Sequence, residues 1–145
     1  MAYRLASIAG YGIMIGALIA LLWGHSLFGE SPIPVGVQVL AFSLMVWARV
    51  TFGRRSFHAA ANPTEGGVVT SGPYRFVRHP IYAAVLYFTW AGVLSHISPV
   101  NLVLGICAAA GAGLRIAAEE RLLVERYPEY RGYAGRTRRI IPFLF

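Results

Sequence analysis

Residues 80–114 read PIYAAVLYFTWAGVLSHISPVNLVLGICAAAGAGL, 35 positions without a charged side chain. At about 1.5 Å of rise per residue, one helix of that length would far overrun the roughly 30 Å hydrocarbon core of a bilayer. The run therefore has to fold as two helices. Ser95-His96-Ile97-Ser98-Pro99 divides it, because Ser98 offers a side-chain oxygen as a helix cap and Pro99 suits the first helical position. The first piece is a short helix over 80–95, tilted or partly shielded by its neighbours. The second starts at Pro99 and meets no breaker before Pro128. It holds about residues 99–120 in the membrane, and its end projects beyond. Gly105, Gly111, Gly113 and Ala108 to Ala110 on it would let another helix approach closely.

Two more uncharged runs lie upstream, Leu5 to Gly29 and Ser31 to Ala48, and the three together cover 78 of 145 positions. Charged residues are only 13% of the chain, against roughly 25% in an average soluble domain. The fold class is accordingly an all-α integral membrane protein, a single domain over 1–145 with four transmembrane helices at about 3–28, 34–52, 80–95 and 99–120. The first apolar run is far longer than the roughly 7–15 residues of a signal-peptide core, so it is read as a helix. A soluble enzyme, a disordered tail and a disulfide scaffold are excluded, the last because Cys107 is the only cysteine.

All 13 basic residues are arginine and all six acids are glutamate. Twelve of the arginines lie between Arg49 and Arg78 or from Arg115 onward; Arg4 is the other. The positive-inside rule then places both termini and the long loop between helices 2 and 3 in the cytoplasm. Anionic headgroups account for the net charge of +7, so membrane lipids are the expected partners and nucleic acid is not.

The polar residues converge on that same side. The loop Gly53 to His79 is 27 residues, well past the roughly 12–15 beyond which an unstructured loop is usually functional or disordered. It is read as an ordered lid, broken at Asn62-Pro63, Gly66-Gly67 and Ser71-Gly72-Pro73 and anchored by Val68-Val69 and by Tyr74 to Val77. Its last stretch, Gly72-Pro73-Tyr74-Arg75-Phe76-Val77-Arg78-His79-Pro80-Ile81-Tyr82, reads equally well as an interfacial belt of arginine and tyrosine. On helix 4, Glu119 has Arg115 one turn before it and can be neutralised within the helix. Glu120 has Ile116 and Val124 at the same spacing, so pointing inward it needs a cation from elsewhere, either Arg78 or a ligand ammonium. A solvated helix end is the plainer alternative. Arg131, Arg136, Arg138 and Arg139 read as a headgroup patch, and the tail from Ile140 to Phe145 as an anchor or a plug. His25 and His96 lack a third ligand, so no metal site is expected. Cys107 reads as a small apolar residue.

Gly72-Pro73-Tyr74-Arg75 leading into Arg78-His79-Pro80-Ile81-Tyr82, then 36 residues, then Glu119-Glu120 with Leu123, resembles the isoprenylcysteine carboxyl methyltransferase family. Tyr127-Pro128-Glu129-Tyr130 to Tyr133, followed by Ile140-Ile141-Pro142, is similar to that family's C-terminal stretch. The resemblance covers about 47–145. It implies an S-adenosylmethionine-dependent methyltransferase of the bacterial inner membrane, releasing S-adenosylhomocysteine and acting on a small lipophilic acceptor. It also implies that Tyr74, Arg78, His79, Pro80, Tyr82, Glu119 and Glu120 bind the cofactor, with Arg115 and Glu119 as catalytic candidates and Arg115 near the acceptor. The cofactor's ammonium and ribose suit a carboxylate such as Glu120, and its carboxylate suits arginine or histidine. Arg115 would orient an anionic acceptor, which favours a carboxylic acid or a thiol. Sterol-reductase-type proteins share an Arg-His-Pro-x-Tyr region but use NADPH, whose phosphate Arg75 and Arg78 would meet. A membrane reductase is thus the alternative enzyme, and a non-catalytic membrane adaptor the alternative outside enzymes.

Overall fold

The computed structural model describes residues 2–53 and 67–142; the loop breakers Asn62-Pro63 and Gly66 lie outside the described residues. The described chain forms five helices: α1 (Ala2–Trp23), α2 (Pro32–Phe52), α3 (Pro80–Ser95), α4 (Pro99–Arg126) and α5 (Tyr130–Arg136). A 3-10 turn, Gly72–Arg75, precedes α3, and no strand occurs among the described residues. Among the described residues the fold is all-helical, and the protein is integral to the membrane. By length and apolar content α1, α2 and α4 are each able to cross it. At 16 residues α3 rises only about 24 Å, less than a full hydrocarbon core. It is the helix most enclosed by protein, with Ala83, Ala84, Thr89 and Val93 all buried.

Two helix boundaries differ from the sequence reading. Helix 1 stops at Trp23 instead of running to Phe28. His25 takes a left-handed φ of 53°, its N–H donates to Leu22 O at 3.1 Å, and Ser26 N–H reaches back to Leu21 O at 2.8 Å. This is a Schellman stop with histidine in the place glycine usually holds. Hydropathy misses it because Leu27 and Phe28 continue the apolar run. Helix 2 begins at Pro32, two residues before Pro34. Both prolines fall within its first turn, where no intrahelical N–H is needed.

The split between α3 and α4 falls where the sequence places it. Ser98 Oγ accepts from Asn101 N–H at 3.1 Å, and Asn101 Nδ2 donates to His96 O at 2.6 Å. At that same end Gln38 closes the connection between α1 and α2. Its amide donates to Leu27 O at 2.8 Å and Phe88 O at 3.1 Å and accepts from Gly29 N–H at 3.0 Å. A buried polar side chain with every group paired is a strut, not a liability.

α1 packs along α4, α2 along α3, and α3 against α4. The α1–α4 crossing is a backbone contact. A Cβ on Gly111 would lie 2.5 Å from Gly10 O, and one on Gly10 2.6 Å from Gly111 O. Gly105 instead meets Trp90 and Val93, while Gly113 faces open space. Met14, Leu86 and Ala112 form the buried apolar cluster beside the crossing, with Tyr82, Val85 and Ile140 packed on it. Gly111→Ala is therefore expected to separate the two helices and cost about 1–3 kcal/mol, measured by thermal unfolding in detergent. Gly113→Ala, whose Cβ meets nothing within 4 Å, should stay within about 0.5 kcal/mol.

Candidate functional site

Pro80 keeps His79 out of the helical region; His79 takes φ −125° and ψ 58°, which is not the extended backbone that an X-Pro step favours, and α3 starts directly after it. His79 N–H is bonded to Arg139 O at 3.0 Å and Arg78 N–H to Arg138 O at 2.6 Å. A short parallel bridge, Val77 to Arg138, thus joins the elbow before α3 to the segment after α5. Gly72, at φ 56°, lies so close to Thr51 that a Cβ there would stand 2.5 Å from Thr51 Oγ1. This closeness places the start of the elbow against the end of α2.

Consecutive residues on a helix point about 100° apart, and α4 uses this to give its two glutamates different neighbours. Glu119 Oε1 accepts from Tyr82 Oη at 2.6 Å and pairs with Arg115 Nε at 3.1 Å. Arg115 Nε also donates to the Tyr82 hydroxyl, so three side chains from α3 and α4 close into one ring. Glu120 Oε1 is 2.9 Å from Arg78 Nε and 3.2 Å from His79 Nε2. Its Oε2 is 3.1 Å from Arg139 Nη2. His79 stands between the carboxylates, with Nδ1 3.8 Å from Glu119 Oε2.

The helical-spacing argument is met at both positions: Glu119 has its partner one turn back, and Glu120 draws Arg78 from another element. Tyr82, Arg78 and His79 join this cluster, and Pro80 is buried as its hinge. Tyr74 is buried beside it, its carbonyl accepting from Tyr133 Oη at 2.6 Å. Burial pushes the Tyr133 phenol up to about 12, which keeps it a neutral donor. Arg75 is not part of the site; it is exposed, with its guanidinium over the Phe76 ring.

Three contributors escaped the sequence. Arg139, read as part of a headgroup patch, is instead a ligand of Glu120. Only the bridge to the elbow brings it there, and no helical period reveals a bridge. Tyr11 of α1 lies with its ring 4.8 Å from the guanidinium of buried Arg115, so the first helix reaches the site as well. Tyr130 opens α5, a short helix with two glycines whose sequence gives no apolar period. Its hydroxyl is the one buried side-chain polar atom without a hydrogen-bond partner among the described residues. Of the tail read as an anchor or a plug, residues 143–145 lie outside the described residues; Ile140 packs on the core and accepts from Tyr87 Oη at 2.8 Å through its carbonyl. No group of three or more His, Cys, Asp or Glu with metal-holding geometry occurs among the described residues.

Arg78 does more than neutralise Glu120. Its Nη1 donates to Ala134 O at 2.8 Å and to Thr137 O at 2.5 Å, tying α5 and the bridge to α4 through one guanidinium. The isoprenylcysteine carboxyl methyltransferase family matches residues 34–125, a stretch that contains the elbow, Tyr82, Arg115 and both glutamates. The chain belongs to this family.

Two curated relatives extend the likeness beyond that stretch. The cobalt-zinc-cadmium resistance protein CzcN of Cupriavidus metallidurans is 32% identical over 135 residues, covering 88% of this chain and 59% of that protein. The nickel-cobalt-cadmium resistance protein NccN of Alcaligenes xylosoxydans xylosoxydans is 29% identical over 131 residues, covering 88% of this chain and 60% of that protein. This family member therefore spans about three-fifths of the length of those relatives. No solved structure matches it at a significant level.

Removing Arg78 leaves Glu120 and two backbone carbonyls without their shared donor. Arg78→Ala is expected to cost about 3–5 kcal/mol of stability and to speed amide exchange across residues 127–142. Arg78→Lys should recover little, because an ammonium cannot reproduce the fork. Arg139→Ala, at a side chain 45% exposed, should cost under about 1 kcal/mol.

Proposed function

We propose that this chain is an S-adenosylmethionine-dependent methyltransferase that acts within the membrane on a small lipophilic acceptor. The observation that carries the reading is the convergence of Arg78, His79 and Tyr82 on Glu119 and Glu120 at one end of the bundle. Membership of a family of membrane methyltransferases supports it. We further propose a four-span arrangement with both termini and the site on the cytoplasmic face of a bacterial inner membrane, as the arginine distribution favours.

The donor set suits the cofactor chemically. S-adenosylmethionine carries an ammonium, a carboxylate and ribose hydroxyls next to its sulfonium. Glu119 and Glu120 are acceptors for the ammonium and the hydroxyls, and Arg78 and His79 are donors for the carboxylate. Arg139 is the most exposed of the groups on Glu120, and is thus the one most readily exchanged for a ligand cation. When bound, S-adenosylmethionine supplies a methyl group activated for displacement.

The chain's own residues hold the acceptor and keep water away. Arg115 is buried, with the Tyr11 ring on one side and the Tyr82 ring 5.8 Å away on another. A buried guanidinium orients an anionic group, so a carboxylate is the favoured acceptor, with a thiolate next. Neither needs a general base. In the described site three guanidiniums, of Arg78, Arg115 and Arg139, face two carboxylates, a surplus of positive charge that favours an anionic acceptor over an amine. The names of the two relatives concern metal resistance. On the present reading a role of that kind would run through methylation of a membrane component.

The purified chain is expected to bind S-adenosylhomocysteine in the micromolar range by calorimetry. Glu120→Ala should weaken that binding at least tenfold, about 1.4 kcal/mol. Binding of NADPH in its place would overturn the assignment in favour of a reductase. Arg115→Ala should lower turnover in a labelled-methyl assay over a lipid extract more than it lowers cofactor affinity. Equal losses would remove Arg115 from the acceptor side.

A further inference from the structure

We propose that the Tyr130 hydroxyl is a ligand-binding group, donating a hydrogen bond to the carboxylate at the amino-acid end of the methyl donor. The inference rests on the reading of the site as an S-adenosylmethionine pocket and names a contact that this reading leaves open.

Buried polar atoms in folded proteins almost always find a partner, and an unpaired one loses its hydration with nothing in return. Tyr130 is 2% exposed, yet among the described residues its hydroxyl bonds to nothing. Its neighbour on α5 behaves differently: Tyr133, also buried, donates to Tyr74 O. The two rings meet edge to face, 5.8 Å apart, and phenylalanine at 130 would keep that packing without burying an oxygen. The hydroxyl at 130 therefore has a use that packing does not supply.

Its surroundings say what kind of use. Tyr130 opens the helix that Arg78 ties to Glu120 through Ala134 O and Thr137 O, and after burial the charges acting most strongly on its phenol are those of Glu120 and Arg78. Burial holds the phenol well above its ordinary range, leaving it a donor throughout the physiological pH range. The helix that carries it is held in place as well. Arg78 bonds the carbonyls of Ala134 and Thr137, and Thr137 Oγ1 donates to Tyr133 O at 2.8 Å. A fixed neutral donor next to an arginine is a carboxylate-binding pair. The amino-acid end is the part of the cofactor that carries a carboxylate, and its ammonium would then face Glu120.

The test compares the full chain and its Tyr130→Phe variant in detergent, titrated with S-adenosylhomocysteine and with 5′-methylthioadenosine, which lacks the amino-acid end. Ligand-free unfolding temperature is measured in parallel. The expected result is about tenfold weaker binding of S-adenosylhomocysteine, unchanged binding of 5′-methylthioadenosine, and a ligand-free unfolding temperature that is unchanged or higher. Should 5′-methylthioadenosine bind neither protein, the S-adenosylhomocysteine ratio and the unfolding temperature decide. Equal affinity of both proteins for S-adenosylhomocysteine would overturn the inference while leaving the pocket intact. A parallel loss for both ligands would move the contact to the nucleoside, and a lower ligand-free unfolding temperature would make the hydroxyl structural; either overturns it. Wild-type protein that binds neither ligand would overturn the pocket and this inference together.

Discussion

The Glu120 carboxylate is where three separate parts of the chain are made to meet. It projects from α4 at the level where that helix leaves its apolar stretch, and its helical neighbours offer it no cation. A carboxylate in that position has to be paired or solvated. Pairing brings in Arg78 and His79 from the elbow before α3 and Arg139 from the segment after α5. Arg78 Nη1 then donates to Ala134 O on α5 and to Thr137 O just after it. One negative charge therefore ties α4, the elbow before α3 and the segment after α5 together at the polar end of the bundle.

That arrangement bears directly on function. On the proposed reading, side chains already bound to one another at this end are pre-positioned for a ligand carrying both signs of charge, since each of its groups can replace an internal contact of the same kind. The two glutamates are not equivalent. Glu119 is committed within a ring with Tyr82 and Arg115, which lies deeper and is flanked by Tyr11. Glu120 shares its second oxygen with the exposed Arg139. On that same reading, Glu119 stands between the cofactor and buried Arg115, the group proposed for the acceptor, while Glu120 serves the cofactor at the mouth of the bundle.

Much of this was legible beforehand, and the exceptions have physical reasons. The uncharged run 80–114 had to be cut, and Ser98-Pro99 is a chemical signal for where. Glu119 and Arg115 sit one helical turn apart, so their pairing follows from the period alone. That an inward Glu120 needs a cation from outside its helix followed by elimination along that helix, with Arg78 one of two candidates; the structure is what pairs it with Arg78. The end of α1 was not legible, because His25 in a left-handed conformation leaves no mark in a hydropathy pattern that runs on through Phe28. Arg139 and Tyr130 were hidden for a related reason. They reach the site through a backbone bridge and a seven-residue helix, features set by tertiary contact and not by local periodicity. Tyr11 lies outside the stretch matched by the family, so only the packing of α1 on α4 reveals it.

A double-mutant cycle between Arg78 and Glu120 examines the central interaction directly. Unfolding free energies of the wild-type chain, Arg78→Ala, Glu120→Ala and the double variant are measured in detergent without ligand. The account predicts that the double variant is scarcely worse than the worse single one, a coupling of about 2 kcal/mol within the usual span for groups in contact. Losses that simply add, to within about 0.5 kcal/mol, would show that the carboxylate on α4 and the guanidinium before α3 act independently, and would contradict it.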